Sequence, residues 1–364
     1  MQLSAFNDQI LGIDVPVDPT TGIVDLLTRE QILALVNGEI DETKILPSAG
    51  ITYRPIEGLT LRAAFSQTVA RPSFREVGYY VTVEPGTDEQ TVGNPQLGIS
   101  EVESYDARVE YVFGDLGDLV AFSAFYKVID DPIESTFVRN PLNRETGAQG
   151  LFRTFFNNPN TARLWGIEVE ARKSLDFLEW LGLDFPGAEI LESFSIGGNY
   201  SYIEASVARS PFEVARVQNF FSVAPGDRAG YNGLKRERRL FGQPEWIANA
   251  DITFDREEWG TSITLAVFAI SDVLDTAGAA GVSQDLTTVN EYILDRYLDS
   301  YYQLDLVASQ EIWKGLTLKM SVKNLTDTAR RRIFDPEQTS SKIVDRTRRS
   351  GRDWSFSVGY KVDF

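Results

Sequence analysis

The 364-residue sequence contains neither cysteine nor histidine. Without them it has no disulfide framework, no zinc finger, no thiol nucleophile and no imidazole base. Any catalysis would therefore rest on carboxylates, hydroxyls, lysine or arginine. The acid-rich segments also lack the spaced D-x-D-x-D-G pattern of a calcium loop. We therefore predict a protein that is not an enzyme and that carries no cofactor and no metal site.

Basic residues are scarce relative to acidic ones, with 35 Lys and Arg against 53 Asp and Glu and a formal charge of -18. This balance argues against a nucleic-acid partner. Long apolar runs are also missing, so no membrane-spanning helix is predicted, and residues 1–8 lack the basic and apolar regions of a signal peptide. A β-barrel nevertheless crosses a membrane with alternating strands that contain no such runs.

Alternation with a period of two dominates the sequence from Ile45 onward. In residues 353–364 every even position is large and apolar or aromatic, and every odd position is small or polar. A strand puts such alternate side chains on opposite faces. The same alternation, clear or weaker, recurs at 59–67, 105–113, 120–128, 165–172, 194–202, 246–254, 261–270, 302–309 and 316–323. About eleven strands of about ten residues follow, the length that a tilted strand needs to cross a bilayer.

The connections between these strands alternate in length. Tight turns are expected near 55–58, 114–117, 256–258 and 313–315, and a longer turn at 174–192. The opposite ends are joined by long charged stretches near 68–101, 129–161, 207–242, 271–300 and 325–352. Short turns on one side and long loops on the other are typical of outer-membrane barrels. The predicted fold is an all-β, antiparallel meander transmembrane β-barrel, with one short helix at 28–38 capped by Thr28.

Several segments, in a fixed order, then resemble one family. They are Phe65–Glu76, Gly93–Leu97, Ser104–Tyr111, Ser123–Lys127 with Asp131–Glu134, Gly166–Ala171 and Val322–Asp327. Together they are similar to TonB-dependent outer-membrane receptors over about residues 45–364. The family motifs include Arg71, Pro72, Asn94, Pro95, Asn324 and the terminal Phe364. The resemblance implies structural roles for them: Pro72 ends a strand, Arg71 sits at the rim, and Phe364 acts as an outer-membrane insertion signal.

The resemblance further implies a location in the outer membrane of a Gram-negative bacterium. Family members close about 22 strands around an N-terminal plug. Residues 45–364 would then be the C-terminal half of such a barrel, without the plug, and residues 1–44 a loop segment with a short helix on the extracellular side. An open sheet leaves unpaired edges in lipid. We therefore expect a truncated reading frame or one piece of a longer protein, unable to transport alone. Contact with the inner-membrane energy-coupling protein would run through the missing N-terminal part.

Three basic clusters lie at long-loop ends of the predicted strands. Their candidate ligand-binding residues are Arg236, Arg238, Arg239, Arg330, Arg331 and Arg348. Arginine binds phosphate and carboxylate with two hydrogen bonds, so lipopolysaccharide and an anionic substrate are both candidate partners. The alternative is local pairing with Glu237, Asp335, Glu337 and Asp345.

Aromatic and acidic residues leave similar alternatives open. Tyr79 and Tyr80, like other loop aromatics, would stack on a sugar or a chelate, or else belong to the aromatic girdle of the membrane interface. The carboxylate pairs Asp130–Asp131 and Glu168/Glu170 suit acid–base chemistry, or simply the polar lumen of a barrel.

Two functions remain after these observations. The first is a fragment of an energy-coupled importer embedded in outer-membrane lipid, binding a bulky small-molecule or oligosaccharide ligand (siderophore, cobalamin or glycan) in its loops. The second is a soluble or surface-attached all-β binding module; a passive porin would need more residues. The importer predicts that five aromatic residues are exposed in the monomer, whereas a module would bury them in a core. These residues are Tyr111, Trp165, Trp354, Phe356 and Tyr360.

Overall fold

The structure is a computed structural model. It describes residues 37–84, 89–114, 117–139, 151–175, 188–211, 213, 236–280, 293–334 and 343–361. The predicted helix at 28–38, apart from its last two residues, and the terminal Phe364 lie outside these ranges. Within these ranges no helix has the length and apolar character needed to cross a bilayer.

Twenty strands make up about two thirds of the described residues. The first ten are β1 (Ser48–Ile56), β2 (Leu59–Ala70), β3 (Val81–Val83), β4 (Gln90–Val92), β5 (Ser100–Phe113), β6 (Asp118–Asp130), β7 (Ile133–Arg139), β8 (Leu151–Asn157), β9 (Ala162–Ser174) and β10 (Phe194–Ala208). The others are β11 (Glu237–Arg238), β12 (Trp246–Arg256), β13 (Thr261–Ile270), β14 (Val273–Ala280), β15 (Ile293–Leu298), β16 (Tyr301–Trp313), β17 (Leu316–Lys323), β18 (Arg330–Phe334), β19 (Ile343–Arg348) and β20 (Asp353–Tyr360). Two short helices, α1 (Phe74–Val77) and α2 (Ala188–Leu191), were not predicted.

Eleven long strands form one sheet in the order β1-β2-β5-β6-β9-β10-β12-β13-β16-β17-β20, which we call the wall. Every neighbouring pair is antiparallel, for example β5 with β6 and β10 with β12. The predicted meander of about eleven strands is confirmed. In the part of the chain that the structure describes, β1 and β20 stand at the two edges of this order.

The two faces of the wall differ as the alternation predicts. One face carries apolar and aromatic side chains that the monomer leaves uncovered: Tyr111 (44% exposed), Trp165 (43%), Trp354 (54%), Phe356 (72%) and Tyr360 (69%). The expectation of exposure is met for all five. A soluble module would bury such residues in a core, so their exposure argues against that alternative.

Tight turns join the wall strands at one end. Gly58 (φ +77°) and Gly315 (φ +79°) are in the left-handed region, where glycine has no steric cost. A Cβ at Gly58 would come within 2.2 Å of the Val112 carbonyl oxygen, and one at Gly315 within 2.3 Å of the Lys361 carbonyl oxygen. Both turns therefore need glycine for conformation and for space.

The long connections at the other end contain short strands that the sequence did not predict. Eight of their segments form a second sheet, the loop sheet, in the order β19-β18-β15-β14-β7-β8-β4-β3. Its strands are short and irregular, and three of its ladders contain register shifts or single bridges. Short segments without sustained alternation give no period-two signal, which is why the sequence did not reveal them.

Buried apolar clusters lie among the loops and at the loop ends of wall strands. One contains Leu274, Tyr297 and Ile333, and the other contains Ala162, Val207 and Leu240. The packed core of this chain therefore holds the long loops together, while the wall presents one apolar face outward.

Candidate ligand-binding region

Aromatic pairs mark two levels on the outer face of the wall. Towards the loops, the ring centroids of Tyr105 and Tyr126 lie 6.3 Å apart. Towards the turns, Tyr111 stacks on Phe113 at 5.6 Å. Tyr105 and Tyr111 are six residues apart on one strand, about 20 Å at the rise of a strand. This spacing suits two aromatic girdles that flank an apolar band. The loop sheet lies beyond the girdle that contains Tyr105 and Tyr126.

The opposite face of the wall is polar. A depression of ≈ 320 Å³ lies on it, lined in part by Arg62, Asp106, Phe125 and Glu168. Arg108, which also lines this depression, donates hydrogen bonds to Glu110 (3.0 Å) and Glu170 (2.7 Å). Glu168 and Glu170 thus lie on the polar face of the wall. The other carboxylate pair stands at the loop end of the wall, where Asp130 accepts a hydrogen bond from Thr161 (2.6 Å).

At the loop end of the wall, a buried ion cluster joins two of the long connections, 129–161 and 207–242. The Arg238 guanidinium donates two hydrogen bonds to Glu134, each 2.7 Å, and one to Glu213 at 2.7 Å. Glu134 is fully buried and also accepts a hydrogen bond from the Asn158 amide at 2.8 Å. Burial lowers the pKa of Arg238, but the two carboxylates outweigh it and the pKa lies well above its usual value. The cluster therefore stays charged and paired.

Arg209 extends this cluster to β15. Its guanidinium donates hydrogen bonds of 3.2 and 2.5 Å to the two carboxylate oxygens of Asp295. It also donates to Glu213 at 3.4 Å. Bidentate pairing of this kind fixes geometry as well as charge. The connection from β10 to β12 is thereby tied to β7 on one side and to β15 on the other.

A second ion cluster surrounds Asp275 on β14. Arg296 donates to it at 2.8 Å, and Arg153 and Arg332 lie at 3.5 and 3.7 Å. Arg296 also holds Glu89 with hydrogen bonds of 2.8 and 3.0 Å. Burial raises the pKa of Asp275, but the three guanidinium groups outweigh that effect and hold the pKa below its usual value.

Glu84, next to β3, completes the second cluster. It accepts hydrogen bonds from Arg332 at 2.7 Å and Arg346 at 3.3 Å. The hydrogen bond from Arg332 is the main reason that the pKa of Glu84 lies below its usual value. Carboxylates of the β3–β4 hairpin are thus bound by arginines of β15, β18 and β19.

The predicted basic residues fall into two groups. Arg238 is buried in the first cluster, and half-buried Arg239 donates to Asp272 at 2.7 Å with its guanidinium 5.4 Å from the Tyr297 ring centroid. The remaining four, Arg236, Arg330, Arg331 and Arg348, are exposed. In the described ranges these four have no carboxylate partner within ion-pair distance. Arg330 and Arg348 are register partners across β18 and β19, and Arg330 also lies over the Tyr301 ring at 4.6 Å.

Tyr79 and Tyr80 are exposed between α1 and β3. Among the described residues, no hydrogen bond or ring contact joins either of them to the arginines. The exposed aromatic pair and the exposed basic residues are therefore separate elements of the loop surface.

The family-motif residues lie where strands meet loops. Asn94 and Asn324 are both buried. Asn94 donates to the Phe155 carbonyl at 3.0 Å, and Asn324 (φ +55°) donates to the carbonyls of Thr328 and Gly351, both at 3.2 Å. Each asparagine therefore ties one loop segment to another.

The remaining described motif residues differ in burial, and Pro95 is buried. β2 ends at Ala70, after which Arg71 is exposed and Pro72 half-buried. The Pro95 backbone approaches Gly38 so closely that a Cβ there would lie 1.9 Å from the Pro95 oxygen. Gly38, in the described part of the N-terminal segment, therefore lies against the Asn94–Pro95 turn.

Sequence reasoning missed the carboxylates of both ion clusters. Local acids were the only carboxylate partners it considered for the arginines, whereas Arg238 binds Glu134, 104 positions away, and Arg332 binds Glu84, 248 positions away. Nothing in a single sequence specifies such distant pairs.

Comparison with known proteins gives one match to a family model. The model for the TonB dependent receptor-like β-barrel matches residues 20–325. No curated protein sequence matches the chain.

Solved structures show a distant likeness. The siderophore receptor PirA from Pseudomonas aeruginosa is 14% identical, with a TM-score of 0.48 over 86% of this chain and 41% of that one. A mutant ferric enterobactin receptor PfeA from the same organism, in complex with enterobactin, is 16% identical (TM-score 0.47; 86% and 40%). The siderophore receptor PiuA from Acinetobacter baumannii is 12% identical (TM-score 0.46; 86% and 35%).

The chain thus spans about two fifths or less of the length of these receptors. The family model covers most of its residues, and the wall it matches is an antiparallel meander with an apolar outer and a polar inner face. The chain belongs to the family of TonB-dependent receptor β-barrels.

Proposed function

We propose that this chain forms part of an outer-membrane receptor that takes up a bulky, scarce ligand by energy-coupled transport. The observation that carries the proposal is the wall itself: eleven antiparallel strands with an exposed apolar face and a polar opposite face. Such a wall suits a bilayer on one side and a water-filled lumen on the other. Binding and passage need no covalent chemistry, so the proposed activity is transport.

The direction of the strands supports completion of the wall by further strands. Because the number of strands is odd, β1 and β20 both run from the loop end to the turn end. Direct pairing between them, or between two copies of the wall, would be parallel, unlike every other ladder in the sheet. In lipid, unpaired backbone groups cost several kcal/mol each. We infer that an odd number of additional strands closes the barrel, which makes this chain one part of the working transporter.

The ligand would bind on the loop side, which in this family faces the exterior. We assign ligand contact to the exposed members of the predicted set, which are Tyr79, Tyr80, Arg236, Arg330, Arg331 and Arg348. Arg238 and Arg239 are already engaged by carboxylates and hold the loops instead. Residues 1–44 are proposed to lie on this same side, in keeping with the contact between Gly38 and Pro95. Ferric chelates, cobalamin and glycans all remain candidate ligands.

Two further partners belong to the proposal. Arg349 is exposed on the loop side of the Tyr105–Tyr126 pair, where a lipopolysaccharide phosphate would meet it. An inner-membrane energy-coupling protein of the TonB type would supply the energy, through a part of the receptor other than the wall. The proposed location is the outer membrane of a Gram-negative bacterium.

Uptake measurements test this function. Cells lacking their own receptors would produce the receptor that contains this chain, and would be offered ferric enterobactin, cyanocobalamin and a maltooligosaccharide, each radiolabelled. We expect uptake of one probe, lost when the energy-coupling protein is deleted. Uptake that persists without this protein would indicate a passive porin instead, and uptake of none would contradict the import of these ligand classes.

A further inference from the structure

The loop sheet consists of two halves that meet along one line. The first half is β3, β4, β7 and β8, and the second half is β14, β15, β18 and β19. Inside the halves, β7 and β8 share seven register pairs and β14 and β15 share five, whereas β7 and β14 share only Thr136 with Ala277. We call the line between β7 and β14 the seam. Backbone pairing is thus weakest at the middle of the sheet.

The seam crosses the mouth of the wall. β7 continues from β6 and β14 continues from β13, and three strands, β9, β10 and β12, separate β6 from β13 in the wall. Four strand spacings amount to about 19 Å along the wall. Thr136 and Ala277 are nevertheless neighbours in a ladder, so β7 and β14 must lean together. In a barrel of this family the polar face of the wall lines the lumen, so the shortest path between β7 and β14 runs over that lumen.

Side chains, more than backbone, hold the two halves together. Arg153 of the first half donates to the Asp275 carbonyl at 2.9 Å, and Thr136 donates to the Ala277 carbonyl at 3.1 Å. At the other end of the sheet, Glu89 and Glu84 of the β3–β4 hairpin are bound by Arg296 and Arg332 of the second half. At that contact the first half contributes the carboxylates and the second half contributes the arginines.

From this arrangement we propose that the loop sheet is a two-part strap over the lumen and that it opens along the seam to admit ligand. The inference rests on the proposed transport function. Opening breaks one backbone pair and a set of ion pairs, and leaves the ladders within each half intact. Local openings of this kind draw on the least stable contacts of a fold. A charged ligand competing for the same arginines would favour the open state.

Hydrogen exchange tests the mechanical part without any ligand. For the receptor that contains this chain, in detergent micelles, amides at the seam (residues 135–137 and 276–278) are expected to exchange about tenfold faster than those paired only within a half. Substituting Arg153→Met should speed exchange at the seam further while leaving β18–β19 unchanged. Equal exchange at the seam and within the halves would overturn the proposal.

Engineered disulfides test the functional part, and the absence of cysteine makes each pair unique. Thr136→Cys with Ala277→Cys locks the seam, since adjacent strands lie within disulfide reach. Thr82→Cys with Thr91→Cys, register partners inside the first half, is the matched control. Uptake of the probe that the native receptor imports should fall about tenfold when the seam pair is oxidised, and recover on reduction. The control pair should import normally in both states.

The outcomes separate the two proposals. Normal uptake by the oxidised seam variant would overturn the strap, while leaving the transport function standing. If the native receptor imports none of the three probes, the transport proposal fails, and hydrogen exchange still decides whether the seam opens.

Discussion

Arg238 and Glu134 form two 2.7 Å hydrogen bonds inside the loop region, although 104 positions separate them in the chain. Breaking a buried ion pair by removing one partner leaves an uncompensated charge, at a cost of about 3–5 kcal/mol. We predict that Arg238→Met loosens the loop sheet by that amount, because Glu134 and Glu213 both lose their main partner. Protection of β7 and β15 amides against hydrogen exchange measures this loss.

Arg236→Met is the matched control for this experiment. Arg236 lies two positions away on the same segment, is exposed, and has no carboxylate partner within ion-pair distance in the described residues. Its substitution should change amide protection little. Equal effects of the two substitutions would show that the Arg238 cluster does not hold the loops together.

Asn324 combines a left-handed backbone with three side-chain hydrogen bonds. Its side chain donates to Thr328 and Gly351 and accepts from the Thr328 amide. Both Asn324→Gly and Asn324→Ala lose these bonds, but only alanine adds backbone strain, at about 1–2 kcal/mol. We predict that thermal unfolding ranks native above Asn324→Gly, and Asn324→Gly above Asn324→Ala. An alanine variant as stable as the glycine variant would contradict the positive φ.

The wall and the loops differ in how far the sequence predicts them. Alternation in segments such as 353–360 follows directly from one face in lipid and one in water, so each strand is encoded locally. The loop sheet depends on contacts such as Arg332 with Glu84, which lie far apart in sequence. Exposed and buried arginines also look alike in a sequence, because an arginine is buried where the fold places a distant carboxylate beside it. The sequence therefore reveals the basic clusters, but it does not reveal which arginines bind distant carboxylates and which are exposed.

Acid should loosen the loop sheet. The pKa values of Asp275 and Glu84 lie below their usual values, so the folded loops favour the charged carboxylates. Such carboxylates stabilise the folded loops at pH values above their pKa in the unfolded chain, which is about 4. This stabilisation is lost as the pH falls through their lower pKa values in the folded protein. We predict unchanged resistance of the loops to proteolysis from pH 7 to 5, and increasing cleavage by an acid-stable protease below about pH 4.

Asp275→Asn provides the comparison for the acid experiment. Without the carboxylate, the variant should be less resistant at pH 7 and should lose less on acidification. An equally steep acid response in this variant would assign the effect to other groups, and loosening already at pH 6 would contradict the lowered pKa values.

The apolar face of the wall should not tolerate charge. Tyr200 is on the exposed apolar face of β10, and Ser201 is the next residue, on the polar face. A lysine facing the bilayer midplane costs about 2–4 kcal/mol, whereas one facing the lumen costs little. We predict that Tyr200→Lys reduces the amount of receptor assembled in the outer membrane and that Ser201→Lys does not. If both variants assemble in the same amount as the native receptor, the face that carries Tyr200 does not contact lipid.

The central claim is that one face of the wall contacts lipid and the other contacts water. A nitroxide placed at successive cysteine substitutions along residues 196–203 of β10, in receptor reconstituted in bilayers, tests it most directly. We predict that accessibility to oxygen peaks at positions 196, 198, 200 and 202, and that accessibility to a water-soluble nickel complex peaks at the positions between them. Uniformly low accessibility to both reagents, or the opposite alternation, would contradict the claim.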